Sequence, residues 1–236
     1  MEQNKGPAHR VRNRAMFNAI ARRYDLLNHV LSIGIDRYWR CRAMAVVKAM
    51  GGGTALDLAT GTADLALGLA RLPGWRVIGV DPARAMLDLG RTKVAAAQLQ
   101  AAVELLVAEA EGLPFASASF DLVTAAFGVR NFTDLPRALG EARRVLRPTG
   151  RLLVLEFSEP AAPVFRSIYR WYFGAVLPRV GGWVSGQREA YAYLPRSVAG
   201  FPSGAAFLGC LRSAGFVDAT ATRLTLGVCT LYSARR

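Results

Sequence analysis

A chain of 236 residues, 52% of them hydrophobic, is long enough to form one α/β domain with a complete core. It contains no run of about 18 apolar residues that could span a membrane, and its N-terminus is polar and basic, so we expect a cytoplasmic protein. Three scattered cysteines and two histidines argue against a disulfide framework, a zinc knuckle and a Ser-His-Asp triad, and we expect no metal site.

The formal net charge of +13 is concentrated in the two flanks of the chain. Residues 1–50 contain ten basic and three acidic residues, and residues 160–236 contain nine basic and two acidic residues, whereas residues 51–159 are nearly balanced. The arginine bias of a GC-rich genome is one explanation, since only three of the basic residues are lysines. Attraction to an anionic partner is the other, with nucleic acid and the acidic face of a membrane as candidates.

The first two thirds of the chain predict an alternation of strands and helices. Residues 12–50 predict a helical cap that is interrupted near 32–34. Strands are expected at 54–59, 76–80, 103–107, 120–126 and 151–156, and helices at 62–72, after Asp81-Pro82 and at 134–146, with Pro82 at an early helical position. This alternation predicts an α/β fold with a Rossmann-like, doubly wound, mainly parallel sheet.

The pattern changes after the fifth predicted strand. Residues 164–183 interleave aromatic residues with arginines, which is typical either of a core-packing helix with solvated arginines or of an amphipathic lid around an apolar substrate. A helix at 203–214 and two closing strands at 216–221 and 226–232 follow. We interpret the chain as one domain with a helical cap (1–50), a nucleoside-binding core (51–159), and a substrate lid with closing strands (160–236).

The first predicted strand runs into the sequence Asp57-Leu-Ala-Thr-Gly-Thr-Ala-Asp64. Gly61 permits a tight turn between strand and helix and lets the backbone approach a ligand. A dinucleotide fold normally needs three glycines, in a G-x-G-x-x-G pattern, to cradle a pyrophosphate, whereas this loop has only Gly61. The loop therefore suits a nucleoside without phosphates, and we predict that this nucleoside is S-adenosylmethionine.

Ligands in open α/β sheets bind beyond the carboxyl ends of the strands, where this chain carries polar residues. Asp81 ends the second strand, and the cost of burying a carboxylate without partners favours ribose binding over a helix cap. Asp57 is expected either to orient the loop or meet the ligand's amino group through water, or to accept backbone N–H bonds within the turn. Thr62 and nearby amides are expected to hold the carboxylate of the amino-acid part.

The ends of the third and fourth strands complete the predicted site. Glu109 and Ala110 are expected in a loop over the adenine, and Ala126 ends a stretch of small residues where methyl donor and acceptor can meet. Arg130 and Asn131 follow, and a guanidinium and an amide there would bind an oxyanion developing on the acceptor. The alternative for Arg130 is a structural ion pair with a carboxylate such as that of Asp134.

Two longer stretches carry a resemblance to a known family. One begins at Tyr24-Asp-Leu-Leu-Asn28 and includes Trp39, and the other runs from Arg144 to Ser158. They resemble the two signatures of the UbiE/MenG C-methyltransferases of menaquinone and ubiquinone biosynthesis, and the loop motifs above also follow that family. Asp36 stands where the first signature usually has histidine, so a role for that histidine is not transferred to this chain.

The resemblance implies that the chain transfers a methyl group from S-adenosylmethionine to a ring carbon of a reduced, demethylated prenylquinone. The overall likeness favours demethylmenaquinol, with a ubiquinone-pathway benzoquinol or another aromatic small molecule as alternatives. Arg130 and Asn131 would stabilise the acceptor's oxyanion, and Tyr24 at the substrate mouth would bind or help deprotonate the acceptor. The basic flanks would dock the enzyme peripherally on the anionic inner face of a membrane.

Other functions fit parts of the sequence. A nucleic-acid methyltransferase would suit the basic flanks, but the chain lacks an Asn/Asp-Pro-Pro-Tyr/Phe motif after the fourth strand, and we expect no nucleic-acid partner. A non-catalytic module would bind S-adenosylmethionine without turning it over. A nicotinamide dehydrogenase is disfavoured by the missing glycines. The sequence leaves a homodimer open.

Overall fold

The computed structural model describes residues 6–31, 34–160, 162–171 and 188–236. Helices α1 (Gly6–Leu31) and α2 (Ile35–Lys48) precede the first strand. Gly34 lies between them with φ 74°, a left-handed conformation that glycine adopts without a steric penalty. The predicted helical segment with an interruption near residue 34 is confirmed.

Seven strands of the described chain form one sheet. In chain order they are β1 (Gly53–Leu58), β2 (Trp75–Val80), β3 (Val103–Leu106), β4 (Phe120–Ala126), β5 (Leu146–Phe157), β6 (Val217–Leu224) and β7 (Cys229–Arg235). Their order across the sheet is β3-β2-β1-β4-β5-β7-β6; β1 to β5 run parallel, and β7 is antiparallel to both of its neighbours. The predicted doubly wound, mainly parallel sheet is confirmed.

The helices that follow the first strand cover both faces of the sheet. They are α3 (Asp64–Ala70), α4 (Arg84–Ala96), α5 (Leu135–Val145), α6 (Pro163–Trp171), α7 (Arg188–Ala199) and α8 (Ala205–Ser213). Adjacent residues of β4 point to opposite cores: Leu122 packs with α3 and α4, and Val123 packs with α5 and α8. The strand order reverses between β1 and β4, which opens a crevice at their carboxyl ends.

Several predicted boundaries were wrong, for local reasons. Helix α4 begins at Arg84 after Ala83, because an Asp81 side-chain oxygen accepts the Ala83 N–H and holds Pro82 in the preceding turn. Strand β5 begins earlier than predicted, where Leu146 pairs with Phe120 before a register shift. The closing strands begin later than predicted, because a 3-10 turn at Thr225–Gly227 occupies the expected start of the second one.

The aromatic and arginine-rich segment at 164–183 is described only as far as Trp171, and the remainder lies outside the described residues. On α6 the side chain of Tyr169 is buried, whereas Phe165 and Trp171 are 44% and 64% exposed. Helix α6 therefore presents aromatic surface to solvent as well as to the core. In the described part of the chain, no helix has the length and apolar character to cross a membrane.

Candidate active site

A cleft of about 790 Å³, open to solvent, lies at the carboxyl ends of β1, β2, β3 and β4, with α1 along one side. Its walls include Asn13 and Phe17 from α1, Gly61 and Asp81 from the first two strand ends, and Asn131 after β4. We call it the large chamber.

A second cleft of about 330 Å³, the small chamber, adjoins it. Arg40 of α2, Asp57 of β1 and the loop after β1 line the small chamber. Ala59, Gly61 and Ala126 line both chambers. The two chambers therefore share part of their wall at the ends of β1 and β4.

The carboxylate of Asp81 lies at the end of β2 and is 9% exposed. One oxygen accepts the Gly61 N–H at 3.0 Å and the other accepts the Ala83 N–H at 2.8 Å. Burial raises the pKa of Asp81 to about 6, although these two hydrogen bonds oppose the shift. Each oxygen keeps a second lone pair, so the carboxylate can accept two hydroxyl donors from the large chamber.

The carboxylate of Asp57 is 1% exposed and is held by hydroxyl groups rather than by the backbone N–H groups that the alternative interpretation expected. It accepts hydrogen bonds from Thr60 Oγ1 at 2.6 Å and Thr124 Oγ1 at 2.7 Å. Burial raises its pKa to about 6, and the nearby charge of Arg40 acts in the opposite direction. Asp57 thereby ties the loop after β1 to the neighbouring strand β4.

The backbone is strained where β1 and β4 end. Ala59, Ala63 and Phe127 have φ values of 50°, 67° and 59°, a region that non-glycine residues rarely adopt. The two strand ends also approach closely, because a Cβ added to Gly128 would lie 2.5 Å from the Cβ of Ala59. Such strain clusters at ligand-binding sites, and here it borders both chambers.

The other residues predicted to bind the donor also line the two chambers, and two of them have side-chain partners that the sequence did not predict. Glu109 and Ala110 line the large chamber, and Glu109 forms an ion pair with Arg10 of α1 at 2.6 Å. Thr62 lines the small chamber, and its hydroxyl accepts a hydrogen bond from Lys93 at 3.1 Å. That Thr62 and nearby amides bind a carboxylate stays a prediction.

The predicted catalytic residues are separated by the structure. Arg130 is 7% exposed and forms an ion pair at 2.7 Å with the fully buried Glu156, so the alternative of a structural ion pair is present, with Glu156 rather than Asp134 as the partner. Asp134 instead caps α5 by accepting the Arg137 N–H. Asn131 lines the large chamber, and Arg130 is absent from its described lining.

A chain of hydrogen bonds reaches Asn131 from α1 and α7. The Asn13 amide donates to the Tyr193 hydroxyl at 3.0 Å, and that hydroxyl donates to Asn131 Oδ1 at 2.9 Å. Neither Asn13 nor Arg40 lies in a chemically distinctive motif, so the sequence alone did not indicate either residue. Tyr24 lies on α1, and its side chain is outside the described part of the structure.

A sequence profile of the ubiE/COQ5 methyltransferase family matches residues 5–236. The chain belongs to this family. Among curated relatives, the demethylmenaquinone methyltransferase of Thermus thermophilus is 49% identical over 218 residues, which cover 92% of this chain and 98% of the relative. The ubiquinone/menaquinone biosynthesis C-methyltransferase UbiE of Geobacter sulfurreducens is 44% identical over 227 residues, covering 95% and 88%.

Solved structures show the same fold at lower identity. A SAM-dependent methyltransferase from Thermotoga maritima superposes with a TM-score of 0.61 at 18% identity, covering 92% of this chain and 98% of that one. A SAM dependent methyltransferase from Aquifex aeolicus gives a TM-score of 0.53 at 18% identity, covering 78% and 81%. Like other members of the ubiE/COQ5 family, this chain is therefore a methyltransferase with the class I fold.

We predict that Asp81→Asn weakens S-adenosylmethionine binding about 10-fold or more at pH 8, because an amide offers one acceptor oxygen in place of two. Above about pH 6 the same change should gain on the order of 2 kcal/mol of stability relative to its effect at pH 3.8, since ionising the buried wild-type carboxylate costs free energy once the pH exceeds its raised pKa. The Gly61 or Ala83 N–H that faces the new NH2 group loses its acceptor, which adds a cost that does not depend on pH. The gain should fade as the pH falls from about 6 towards 3.8, where folded wild-type Asp81 is protonated. Titration calorimetry and thermal unfolding measure both effects.

Asp88→Asn is the matched control, because Asp88 is an exposed carboxylate on α4, 62% exposed at its side chain. It should leave both donor affinity and the pH dependence of stability unchanged. Wild-type affinity in Asp81→Asn would show that this carboxylate does not contact the donor.

Proposed function

We propose that this chain transfers a methyl group from S-adenosylmethionine to a ring carbon of a reduced, demethylated prenylquinone, and that demethylmenaquinol is the acceptor. The observation that carries the proposal is the near full-length similarity to the demethylmenaquinone methyltransferases of Thermus thermophilus and Deinococcus radiodurans, at 49% and 47% identity. A demethylated benzoquinol is the second candidate, because other relatives at similar identity carry the name ubiquinone/menaquinone biosynthesis C-methyltransferase.

The two chambers fit the parts of the donor. Asp81 is a buried carboxylate whose described partners are backbone N–H groups, which suits a ribose with two hydroxyls. Ala83, Met86 and Ala110 give the adjacent wall of the large chamber an apolar surface for the adenine. The small chamber, reached past Gly61, would take the amino-acid part. Bound there, S-adenosylmethionine supplies a methyl group already activated on a sulfonium.

The protein's contribution is then alignment and the exclusion of water. Phe17, Phe127 and Phe132 line the large chamber and give an aromatic acceptor a hydrophobic enclosure. Ala126, at the junction of the chambers, has a side chain small enough to let donor and acceptor approach. Holding both reactants at this junction lowers the barrier by removing the entropy cost of their encounter.

The acceptor must be reduced for this chemistry. An oxidised quinone ring is electron-poor, whereas a hydroquinone with one ionised hydroxyl donates electron density to the ring carbon that takes the methyl group. After transfer that carbon loses its proton and the ring regains aromaticity. The residues that serve the reaction are therefore those that favour the ionised hydroxyl, and a hydrogen-bond donor facing the acceptor oxygen has that effect.

We assign this role to Asn131, whose side chain is held in the large chamber by a hydrogen bond from Tyr193. Because Asn13 donates to Tyr193, the Tyr193 hydroxyl donates to Oδ1 of Asn131, which leaves the amide NH2 of Asn131 as the group available to the acceptor. Arg130 acts as a positioning residue, since its guanidinium donates to the Phe127 carbonyl and pairs with Glu156. Tyr24 is proposed to contact the acceptor at the chamber mouth.

The proposed reaction is tested with labelled S-adenosylmethionine and dithionite-reduced acceptors in detergent. Transfer to demethylmenaquinol should exceed transfer to a demethylated benzoquinol, and the oxidised quinones should accept no label. Comparable rates on both reduced acceptors would assign a dual enzyme and overturn the preference for the naphthoquinol. Binding of S-adenosylmethionine without methyl transfer to either acceptor would contradict the proposal of a quinone substrate.

Asn131→Ala should lower kcat by about 10²-fold or more, because it removes the donor to the developing oxyanion. Tyr193→Phe should lower kcat by a smaller factor, about 2- to 10-fold, because it removes only the hydrogen bond that orients the amide. Neither should change the Kd for S-adenosylmethionine. Tyr38→Phe, at a 49% exposed tyrosine on α2, is the control and should match wild type in steady-state kinetics. A silent Asn131→Ala variant would contradict the assignment.

We also propose that the protein docks peripherally on an anionic membrane, where a prenylated acceptor resides. The flanking segments 1–50 and 160–236 carry the chain's positive excess, and α6 exposes Phe165 and Trp171. Basic residues add attraction to anionic lipids, and exposed aromatic side chains insert at the interface.

Trp171→Ala should reduce co-sedimentation with phosphatidylglycerol vesicles, and the wild type should bind these vesicles more tightly than phosphatidylcholine vesicles at low salt. Val107→Ala replaces an exposed hydrophobic residue just after the edge strand β3 and should leave vesicle binding unchanged. Equal binding to charged and neutral vesicles would count against electrostatic docking.

A further inference from the structure

Two amide side chains face the large chamber, and one tyrosine hydroxyl joins them. Asn13 of α1 and Asn131, in the turn after β4, both line the chamber. Tyr193 of α7 is not part of the chamber's described lining, and its hydroxyl hydrogen-bonds to both amides. A ligand in the chamber therefore meets the two amides, and Tyr193 acts on it through them.

The shared hydroxyl gives the two amides opposite roles. A hydroxyl has one hydrogen, so Tyr193 can donate to only one of them. Its oxygen accepts from Asn13 Nδ2 at 3.0 Å, and it donates to Asn131 Oδ1 at 2.9 Å. Burial raises the pKa of Tyr193, which keeps the hydroxyl protonated and able to donate. The groups left for a ligand are therefore the oxygen of Asn13 and the NH2 group of Asn131.

The amide oxygen of Asn13 is an acceptor that the fold does not use. Asn13 is 7% exposed, and its Nδ2 atom also lies 3.5 Å from Nδ1 of His9, one turn earlier on α1. The hydrogen bonds of the Asn13 side chain to other described residues involve Nδ2, and none of them involves Oδ1. A largely buried carbonyl oxygen without a donor costs free energy. Asn13 Oδ1 is therefore suited to a ligand group that carries an O–H.

The carboxylates on the acceptor side of the chamber are less suited to this role. Glu109 is already paired with an arginine of α1, and Glu111 accepts two backbone N–H groups. A further contact from either carboxylate would also place a negative charge beside the ionised oxygen of the acceptor, which is unfavourable. The neutral amide of Asn13 accepts an O–H without that repulsion.

We propose that Asn13 is a specificity-determining residue that recognises the reduced acceptor by accepting a hydrogen bond from its un-ionised hydroxyl. The inference rests on the proposed function, in which the NH2 group of Asn131 donates to the ionised oxygen. A hydroquinone with one ionised hydroxyl has one O⁻ and one O–H, which match one donor and one acceptor. An oxidised quinone has two carbonyl oxygens and no O–H, so it leaves Asn13 Oδ1 without a donor.

The test compares the two redox states of one ligand that cannot be methylated again. The ligand is a menaquinone with a two-unit prenyl tail, titrated in detergent under argon, oxidised or dithionite-reduced, with saturating S-adenosylhomocysteine. Quenching of tryptophan fluorescence reports binding, since Trp39 packs against Phe127 in the chamber wall. The wild type should bind the reduced form about 5- to 10-fold more tightly than the oxidised form, the effect expected for one hydrogen bond.

Asn13→Ala should weaken binding of the reduced form about 5- to 10-fold and leave the oxidised form within about twofold, because only the reduced form donates to Oδ1. Asn18→Ala is the matched control. Asn18 lies on the same helix, but its Oδ1 already accepts the Ala85 N–H at 3.0 Å. The control should keep the wild-type preference for the reduced form, whatever its effect on stability.

The outcomes separate this inference from the proposed function. Equal weakening of both redox forms by Asn13→Ala, or a wild type without preference for the reduced form, would overturn the assignment of Asn13. If Asn13→Ala does not fold, Asn13→Leu decides the question by the same comparison, because leucine keeps the side-chain volume and removes both polar atoms. A wild type that binds S-adenosylhomocysteine and neither redox form would refute the quinone acceptor itself, and this inference with it.

Discussion

The buried carboxylate of Asp57 is the constraint on which the active site depends. It sits at the end of β1, receives hydroxyl hydrogen bonds from Thr60 in the following loop and from Thr124 in β4, and has almost no contact with water. These bonds fix the loop in a strained conformation, with Ala59 and Ala63 at positive φ. Both chambers take their shape from that loop. A change at Asp57 would therefore disturb donor binding and local folding together.

The site contains two buried carboxylates, and burial makes their ionisation unfavourable. Asp57 and Asp81 both have their pKa raised to about 6 by burial, so each carboxylate lowers the stability of the unliganded protein at neutral pH. A ligand that donates hydrogen bonds to these carboxylates would offset this cost. Both carboxylates lie at the ends of strands whose neighbouring residues are buried in the core, and this rigid support holds them in position.

Much of the fold could be predicted from the sequence because its central strands are largely buried, mostly apolar runs. The fourth predicted strand matches β4 at both ends, and Asp81 is where a strand-end carboxylate was expected. The errors arose where tertiary contacts determine the ends of an element. Leu146 extends β5 by pairing with Phe120, and no local sequence pattern predicts that pairing. The predicted partner of Arg130 was wrong for the same reason. Its observed partner, Glu156, is distant in sequence and lies beside Arg130 only because the ends of two strands are neighbours. Arg40 and Tyr193 reach the site because their helices pack beside it, and a local sequence motif does not predict how helices pack.

The strand-end chambers are proposed to bring a sulfonium methyl group to a ring carbon rather than to an oxygen. The most direct measurement uses S-adenosylmethionine labelled with carbon-13 in the methyl group, reduced demethylmenaquinol and nuclear magnetic resonance of the product. We expect the label to appear as a methyl group bonded to the quinone ring, with loss of the ring proton at that carbon. A label bonded to oxygen, as an aryl ether with the ring proton retained, would contradict it.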